Sequence, residues 1–329
     1  MQSPAAGSCL LLLVVVTVLA AGSASAATLA PVEFSIVDYA RSDERVLTVT
    51  VDQSGKGNYT RIQDAINAVP VPGSSRSAGG VLIEIMPGTY RRVNMHLSPC
   101  NFMDMQANLA GSTSQAQYYE KVVVNKSKIS LIGMSASSTI VTWSGKWTTY
   151  GESATLSVLA SDFVAGNITF QNTYGRGTPA LAARVTRDRA AFYGCRFVSY
   201  QDTILDDKGL HYYSDCYAQG ATDFIFGPGK AFFEKCHLHS TSTEHGAFTA
   251  QGRPAASENS GFSFVECSLT GVEASKSILG RPWRAYALVV FARCNISNTV
   301  DPVGWNNWDT PTNERTAFFG QFQCYGEGS

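Results

Sequence analysis

Phe192-Tyr-Gly-Cys195-Arg-Phe197 is followed by Tyr213-Ser-Asp-Cys216-Tyr217, Phe233-Glu-Lys-Cys236-His-Leu238, Phe264-Val-Glu-Cys267-Ser-Leu269 and Phe291-Ala-Arg-Cys294-Asn-Ile296. Upstream, Phe163-Val-Ala-Gly166-Asn-Ile168 fits the same template with Gly in place of Cys. The steps from Gly166 to Cys294 are 29, 21, 20, 31 and 27 residues, the period range of repeat architectures. Each unit has an aromatic residue, a small residue three later and usually an apolar residue two after that. Period-two alternation belongs to a strand with one buried face. No unit carries a sustained helical period. Strands repeating at this interval, without helices between them, are expected to coil into a parallel β-helix whose turns stack at about 4.8 Å. The Cys and Gly positions then form an internal ladder, and most of these cysteines read as buried small residues rather than disulfide partners.

Working outward, Tyr59 to Val69 places Ile62, Ala65, Ile66 and Val69 at helical spacing, and Pro70 stops the run. A short helix capping the N-terminal end of the stack is expected there. Val81-Leu-Ile-Glu-Ile-Met86 reads as a buried strand ended by Pro87-Gly88.

The composition agrees with one elongated β domain. The chain has 329 residues, 44% hydrophobic and only 16% charged, with 29 Gly, against a usual charged share of about a quarter. A formal net charge of -1 gives no electrostatic reason to expect nucleic acid or an anionic membrane as partner. Leu10 to Ala20 is an uncharged apolar run followed by Ala24-Ser25-Ala26, the pattern of a signal peptide over residues 1–26, cleaved after Ala26. Residues 27–48 then form a lead segment and 49–329 the β-helix domain. Sequons occur at Asn58, Asn125, Asn167 and Asn295, the last two in strand-like text. Without Cys9, seven cysteines remain, so at least one thiol is unpaired in an oxidising compartment.

The chemistry is expected where the repeat is tightest. Asp202 lies seven residues after Cys195, and Asp223 seven after Cys216. On adjacent coils their Cα atoms would be about 5 Å apart. Two carboxylates so placed cannot both ionise cheaply, which separates an acid from a base or nucleophile. A purely structural ladder of turn aspartates has the same spacing. The aromatic surroundings, Tyr200-Gln201-Asp202-Thr203 and Asp223-Phe-Ile-Phe-Gly227, favour a sugar site.

With these residues quoted, the chain resembles the plant pectin methylesterases. Gln201-Asp202-Thr203, Asp223-Phe-Ile-Phe-Gly227 and Leu279-Gly-Arg-Pro-Trp283 look like that family's signature blocks. Pro87-Gly88-Thr89-Tyr90 and Asn167-Ile-Thr-Phe-Gln-Asn172 agree with it, and the likeness runs on from about Val49. The resemblance implies an all-β, right-handed parallel β-helix of the pectin lyase-like kind and hydrolysis of galacturonate methyl esters in cell-wall pectin. It implies Asp223 as nucleophile, Asp202 as general acid and base, Gln201 as oxyanion donor and Arg281 as the residue that orients Asp223. Trp283, Phe226 and, less directly, Thr155 are implied as substrate contacts. No metal or organic cofactor is implied. A secreted monomer in the cell wall, open to a proteinaceous inhibitor, is expected.

Three departures stand out. The family's Gln-Ala-Val-Ala-Leu-Arg block reads Pro179-Ala-Leu-Ala-Ala-Arg184 here, so Pro179 replaces the usual second oxyanion donor and a weakened esterase is expected. Residues 92–119, with Cys100 and three Met, form an atypical insertion, either a surface loop or, the favoured reading, a gene-model error. The text stops at Ser329, earlier than the family pattern, which reads as a C-terminal truncation. Two rivals remain open: an inactive pectin-binding pseudoenzyme and a β-helix glycoside hydrolase acting on pectin. His237, His239 and His245 lie close in sequence but lack a carboxylate partner, and no metal site is expected of them.

Overall fold

The computed structural model describes residues 46–71, 79–90, 120–148, 152–273 and 275–329. The expected signal peptide and most of the lead segment lie outside these residues, as does the insertion at 92–119. Within them, 25 strands pair in parallel into three sheets of ten, seven and eight strands. Each complete coil gives one strand to each sheet, and the coils at the two ends give fewer. Ala190–Tyr193 enters the ten-stranded sheet, Arg196–Val198 the eight-stranded sheet and Ile204–Asp206 the seven-stranded sheet. The fold is the right-handed parallel β-helix. Its first strand, Leu47–Val51, opens two residues before the expected boundary at 49.

The repeat that predicts the fold also supplies its core. Phe192, Tyr213, Phe233, Phe264 and Phe291 stack up the ten-stranded sheet with ring centroids 4.9, 4.3, 4.6 and 4.5 Å apart. Such stacking adds to the burial of each ring. The residue before each repeat cysteine has positive φ: Gly194, Asp215, Lys235, Glu266 and Arg293. That left-handed residue turns the chain from the ten-stranded to the eight-stranded sheet, and the cysteine after it points inward. Cys216, Cys236, Cys267 and Cys294 each place Sγ 3.4–3.5 Å from the carbonyl two residues earlier. The thiol is small enough for the ladder and offers a weak donor to a corner carbonyl. The described cysteines are all free, and only Cys324 is partly exposed.

One rung differs from the expected register. Phe163 pairs with Ala190, and Ala165 with Phe192, while Arg196 N–H donates to Ile168 O. The counterpart of Cys195 is therefore Ile168, not Gly166, and this coil is 27 residues long rather than 29. A slip of two keeps every side chain on its face, so periodicity could not detect it. Asn167, expected in a strand, occupies the left-handed corner (φ 56°).

The expected N-terminal helix is Ile62–Ala68, with Ile62, Ala65 and Ile66 buried. It is too short to stand alone, and residues of later coils hold both ends. Glu120 accepts from Ile62 and Gln63 N–H at 3.3 and 2.7 Å. Lys126 Nζ donates to the carbonyls of Ile66, Asn67 and Val69 at 2.7–2.8 Å. Those charges match the helix dipole at each end.

Candidate active site

The site lies where coils enter the seven-stranded sheet. Gln201 bridges Thr222 in parallel, and Ile204 pairs with Ile225. Asp202 and Asp223 are therefore equivalent positions on adjacent coils, one strand spacing apart. Both have left-handed backbones, with φ 59° and 49°. Asp202 N–H donates to Thr222 O at 3.1 Å, which fixes the two turns together. Gly227, closing the Asp-Phe-Ile-Phe-Gly block, has φ 126°, and a methyl group there would lie 2.0 Å from Asp206 O. Only glycine lets the strand that follows Asp223 end against the strand that follows Asp202.

The two carboxyls have different surroundings. Asp223 is 6% exposed and takes two hydrogen bonds from Arg281, Nε to Oδ1 at 2.8 Å and Nη2 to Oδ2 at 2.6 Å. Burial raises its pKa, and the hydrogen bonds and charge of Arg281 oppose that rise. Asp202 lacks such a partner. Burial, then the neighbouring Asp223 charge, push its pKa up to about 7, while Arg281 and a hydrogen bond from Gln201 act the other way. One carboxyl is thus held by a guanidinium, and the other retains a proton near neutrality.

Arg281 is itself clamped. Its guanidinium carbon lies 4.0 Å from the centroid of Trp308. Trp308 was not among the residues expected from sequence. The available signal was the pair Trp305-Asn-Asn-Trp308, on an irregular return of the chain 27 residues beyond Arg281. Trp283 is 37% exposed, and its ring lies 5.9 Å from Phe226 in an edge-on contact. Phe226 is 6% exposed and forms the floor of an outer apolar cluster with Ala154, Leu181, Leu205 and Ala250, flanked by Trp147 and Trp308.

Thr155 is not brought into this group. It is fully buried, and its hydroxyl donates to Gln171 O at 2.8 Å. Thr203 makes the equivalent bond to Gln219 O, so both threonines tie one sheet to the next. Pro179 does lie beside the site. Its carbonyl accepts from Trp147 N–H at 2.8 Å, and Ala180 N–H donates to Gln201 O at 3.1 Å. Neither Pro179 nor Ala180 carries a side-chain donor.

His237 and His239 share an outer face of the eight-stranded sheet, both within 2.8 Å of Thr270 Oγ1. His245 opens a strand of the seven-stranded sheet, so the three histidines do not form one cluster.

The site is thus a pair of equivalent aspartates on a parallel β-helix, one of them gripped by arginine, and likeness to known proteins places that fold among the pectinesterases. Residues 105–329 match the family model Pectinesterase, and the chain belongs to that family. It is 44% identical over 285 residues to putative pectinesterase 11 of Arabidopsis thaliana, covering 86% of this chain and 72% of that protein. It is 36% identical to pectinesterase 31 of the same plant, over 85% of this chain and 83% of that one. Among solved structures, pectin methylesterase from carrot superposes with a TM-score of 0.71 at 26% identity, covering 93% of this chain and 86% of that chain. The Aspergillus niger enzyme gives a TM-score of 0.70 at 25% identity, covering 93% and 89%.

Proposed function

We propose that this protein hydrolyses the methyl esters of galacturonate in pectin, with Asp223 as nucleophile and Asp202 as general acid and base. The observation that carries the assignment of roles is the unequal pair: Asp223 under two Arg281 hydrogen bonds, Asp202 with a pKa near 7. A carboxylate Oδ of Asp223 attacks the ester carbonyl and forms a tetrahedral intermediate. Gln201 donates to the developing oxyanion. Asp202 gives its proton to the departing methoxide, which leaves as methanol, and Asp223 becomes an acyl anhydride. Asp202, now ionised, takes a proton from water as the water oxygen attacks the acyl carbon. Collapse returns Asp223 as carboxylate and releases galacturonate. Arg281 holds Asp223 in line throughout, and Trp283 over Phe226 offers an aromatic wall for a sugar ring.

Pro179 supports a specialised or slower esterase, because one oxyanion donor is worth about 10²–10³ in kcat. The signal-like run before Ala26 and the plant relatives support a secreted protein of the cell wall. There its substrate is methyl-esterified homogalacturonan, and a proteinaceous inhibitor is a candidate partner over the cleft. The decisive experiment is methanol release from highly methylated pectin beside an Asp223→Asn control. Release that the control abolishes supports the esterase. New reducing ends without methanol would identify a glycoside hydrolase. Pectin binding with neither product would identify a pseudoenzyme.

A further inference from the structure

Away from the aspartate pair, two imidazoles converge on one point. The strand His237–Ser240 runs in the eight-stranded sheet between Tyr217–Gly220 and Ser268–Gly271. His237 and His239 alternate with buried Leu238 and Ser240, so both rings stand on the outer face. The register sets His237 beside Ser268 and His239 beside Thr270. Both rings turn to the same hydroxyl: His237 Nε2 lies 2.7 Å and His239 Nδ1 2.8 Å from Thr270 Oγ1. The two nitrogens are therefore no more than 5.5 Å apart.

A hydroxyl carries a single hydrogen, so one ring donates to Thr270 and the other accepts from it. Each nitrogen aims its in-plane lone pair or N–H at the shared oxygen. A transition-metal ion takes imidazole nitrogen at about 2.0–2.1 Å. Side-chain rotations that draw the two nitrogens to about 3–4 Å apart would let one ion hold both. His237 is exposed and has room to turn. The backbone need not move, because the strand is paired along its length on both sides.

The surroundings select the class of ion. The outward residues of the neighbouring strands are Tyr217, Gln219, Ser268 and Thr270, and none offers a carboxylate. Calcium and magnesium depend on such oxygen donors. Two imidazoles with a hydroxyl and water suit Cu²⁺, Ni²⁺ or Zn²⁺. Arg196, a cation on the same face, is stacked over Tyr217 with its guanidinium carbon 4.4 Å from the ring centroid. The strand that carries Tyr217 separates it from His237.

We propose that His237 and His239 form a surface chelate for one divalent transition-metal ion, with Thr270 Oγ1 and water completing its coordination. The folded sheet holds the two rings on one face, so the ion binds the native chain better than the unfolded one and stabilises it. The site lies on a different sheet from the strands that follow Asp202 and Asp223, and it stands independently of the esterase reading.

The test is calorimetric titration of Ni²⁺ into the protein, purified without a histidine tag, beside His237→Gln, His239→Gln and His245→Gln. The wild type should bind one Ni²⁺ per chain. Losing either ring forfeits the effective concentration of the chelate, so His237→Gln and His239→Gln should each weaken binding at least about tenfold. His245 opens a strand of the seven-stranded sheet, and His245→Gln should bind as the wild type does. Ca²⁺ should not displace Ni²⁺. In NMR spectra, substoichiometric Ni²⁺ should broaden the imidazole signals of His237 and His239 first. Without Ni²⁺ the variants should melt with the wild type, since both rings lie outside the core. Added Ni²⁺ should raise the melting temperature of the wild type more than that of either ring variant. Asp223→Asn should bind Ni²⁺ as the wild type does, whatever becomes of the esterase reading. No Ni²⁺ binding by the wild type, equal affinity in both ring variants, a loss confined to His245→Gln, or displacement by Ca²⁺ would each overturn the proposal.

Discussion

His211 and Asp206 share a proton where water does not reach. Both side chains are fully buried, with Nδ1 2.8 Å from Oδ2. His211 Nε2 faces the carbonyl of Arg187 at 2.9 Å, which can only accept, so Nε2 carries hydrogen. A proton must then also lie between Nδ1 and the carboxyl. Tyr213 donates to the same Oδ2 at 2.9 Å. Asp206 ends the strand that follows Asp202, and its backbone carbonyl accepts from Gly229 N–H at 2.9 Å. The network thus ties the far ends of the two strands that present the dyad.

Breaking this pair should be costly. His211→Gln is expected to destabilise the fold by about 3–5 kcal/mol, because it leaves a buried carboxyl without its cation. The His211 pKa is raised in the fold by Asp206, against the opposing effect of burial. A raised folded-state pKa means stability fully present below the unfolded value of about 6.5 and lost as pH climbs through the folded value. Denaturant titrations from pH 6 to pH 10 should show that loss in the wild type and a flatter profile in the variant. Equal slopes would rule out the shared proton as a source of stability.

Asp202 links stability to function in a lower pH window. Its pKa rises from the usual 3.8 to about 7, so the fold prefers the acid form. Its contribution to stability is complete below about pH 4 and is lost as pH rises to about 7, by at most about 4 kcal/mol. Asp202→Asn cannot ionise. It should abolish methanol release yet melt at a higher temperature than the wild type at pH 8, with little difference at pH 4. In the proposed mechanism the same proton sets the alkaline limb of activity, so kcat should decline above about pH 7 as the dyad loses its acid form.

Arg281→Lys separates charge from geometry. Lysine keeps the cation but loses the paired hydrogen bonds to Asp223 and the stacking on Trp308. A loss of about 10²-fold in kcat is expected from misplacement of the nucleophile. Weaker hydrogen bonding also lets burial raise the Asp223 pKa further, so the acid limb of the pH–rate profile should move to higher pH. A lower rate with an unmoved limb would assign Arg281 to substrate rather than to Asp223.

The cysteine ladder predicts chemical silence. Cys195, Cys216, Cys236, Cys267 and Cys294 are buried, and burial raises the pKa of Cys216 well above the usual thiol value. Thiol reagents should leave these five unlabelled in the native protein and label them on unfolding. Rapid labelling of Cys236 under native conditions would contradict the packed ladder.

The sequence made the stack legible because one side of each coil repeats the same event, an aromatic, a left-handed corner and an inward small residue. That repeat also placed Asp202 against Asp223. It could not fix the coil at Phe163, because a two-residue slip preserves the pattern of faces. It did not reveal Trp308, whose approach to Arg281 depends on how an irregular segment returns across the sheet. For Thr155 a motif match gives chain position but not orientation, and its hydroxyl donates to Gln171 O.

Pro179 offers the remaining test of how this site differs from its family's pattern. Its own contribution through the backbone, the carbonyl that accepts from Trp147 N–H, would survive replacement by glutamine. Glutamine would restore a side-chain amide beside Gln201. If the oxyanion is short of one donor, Pro179→Gln should raise kcat by up to about 10²–10³ with KM little changed, since the added bond forms in the transition state. Steady-state methanol release on fully esterified pectin checks this. An unchanged kcat would mean that another donor already serves the oxyanion, and a lowered melting temperature without a rate gain would assign Pro179 to holding the turn that carries Arg176.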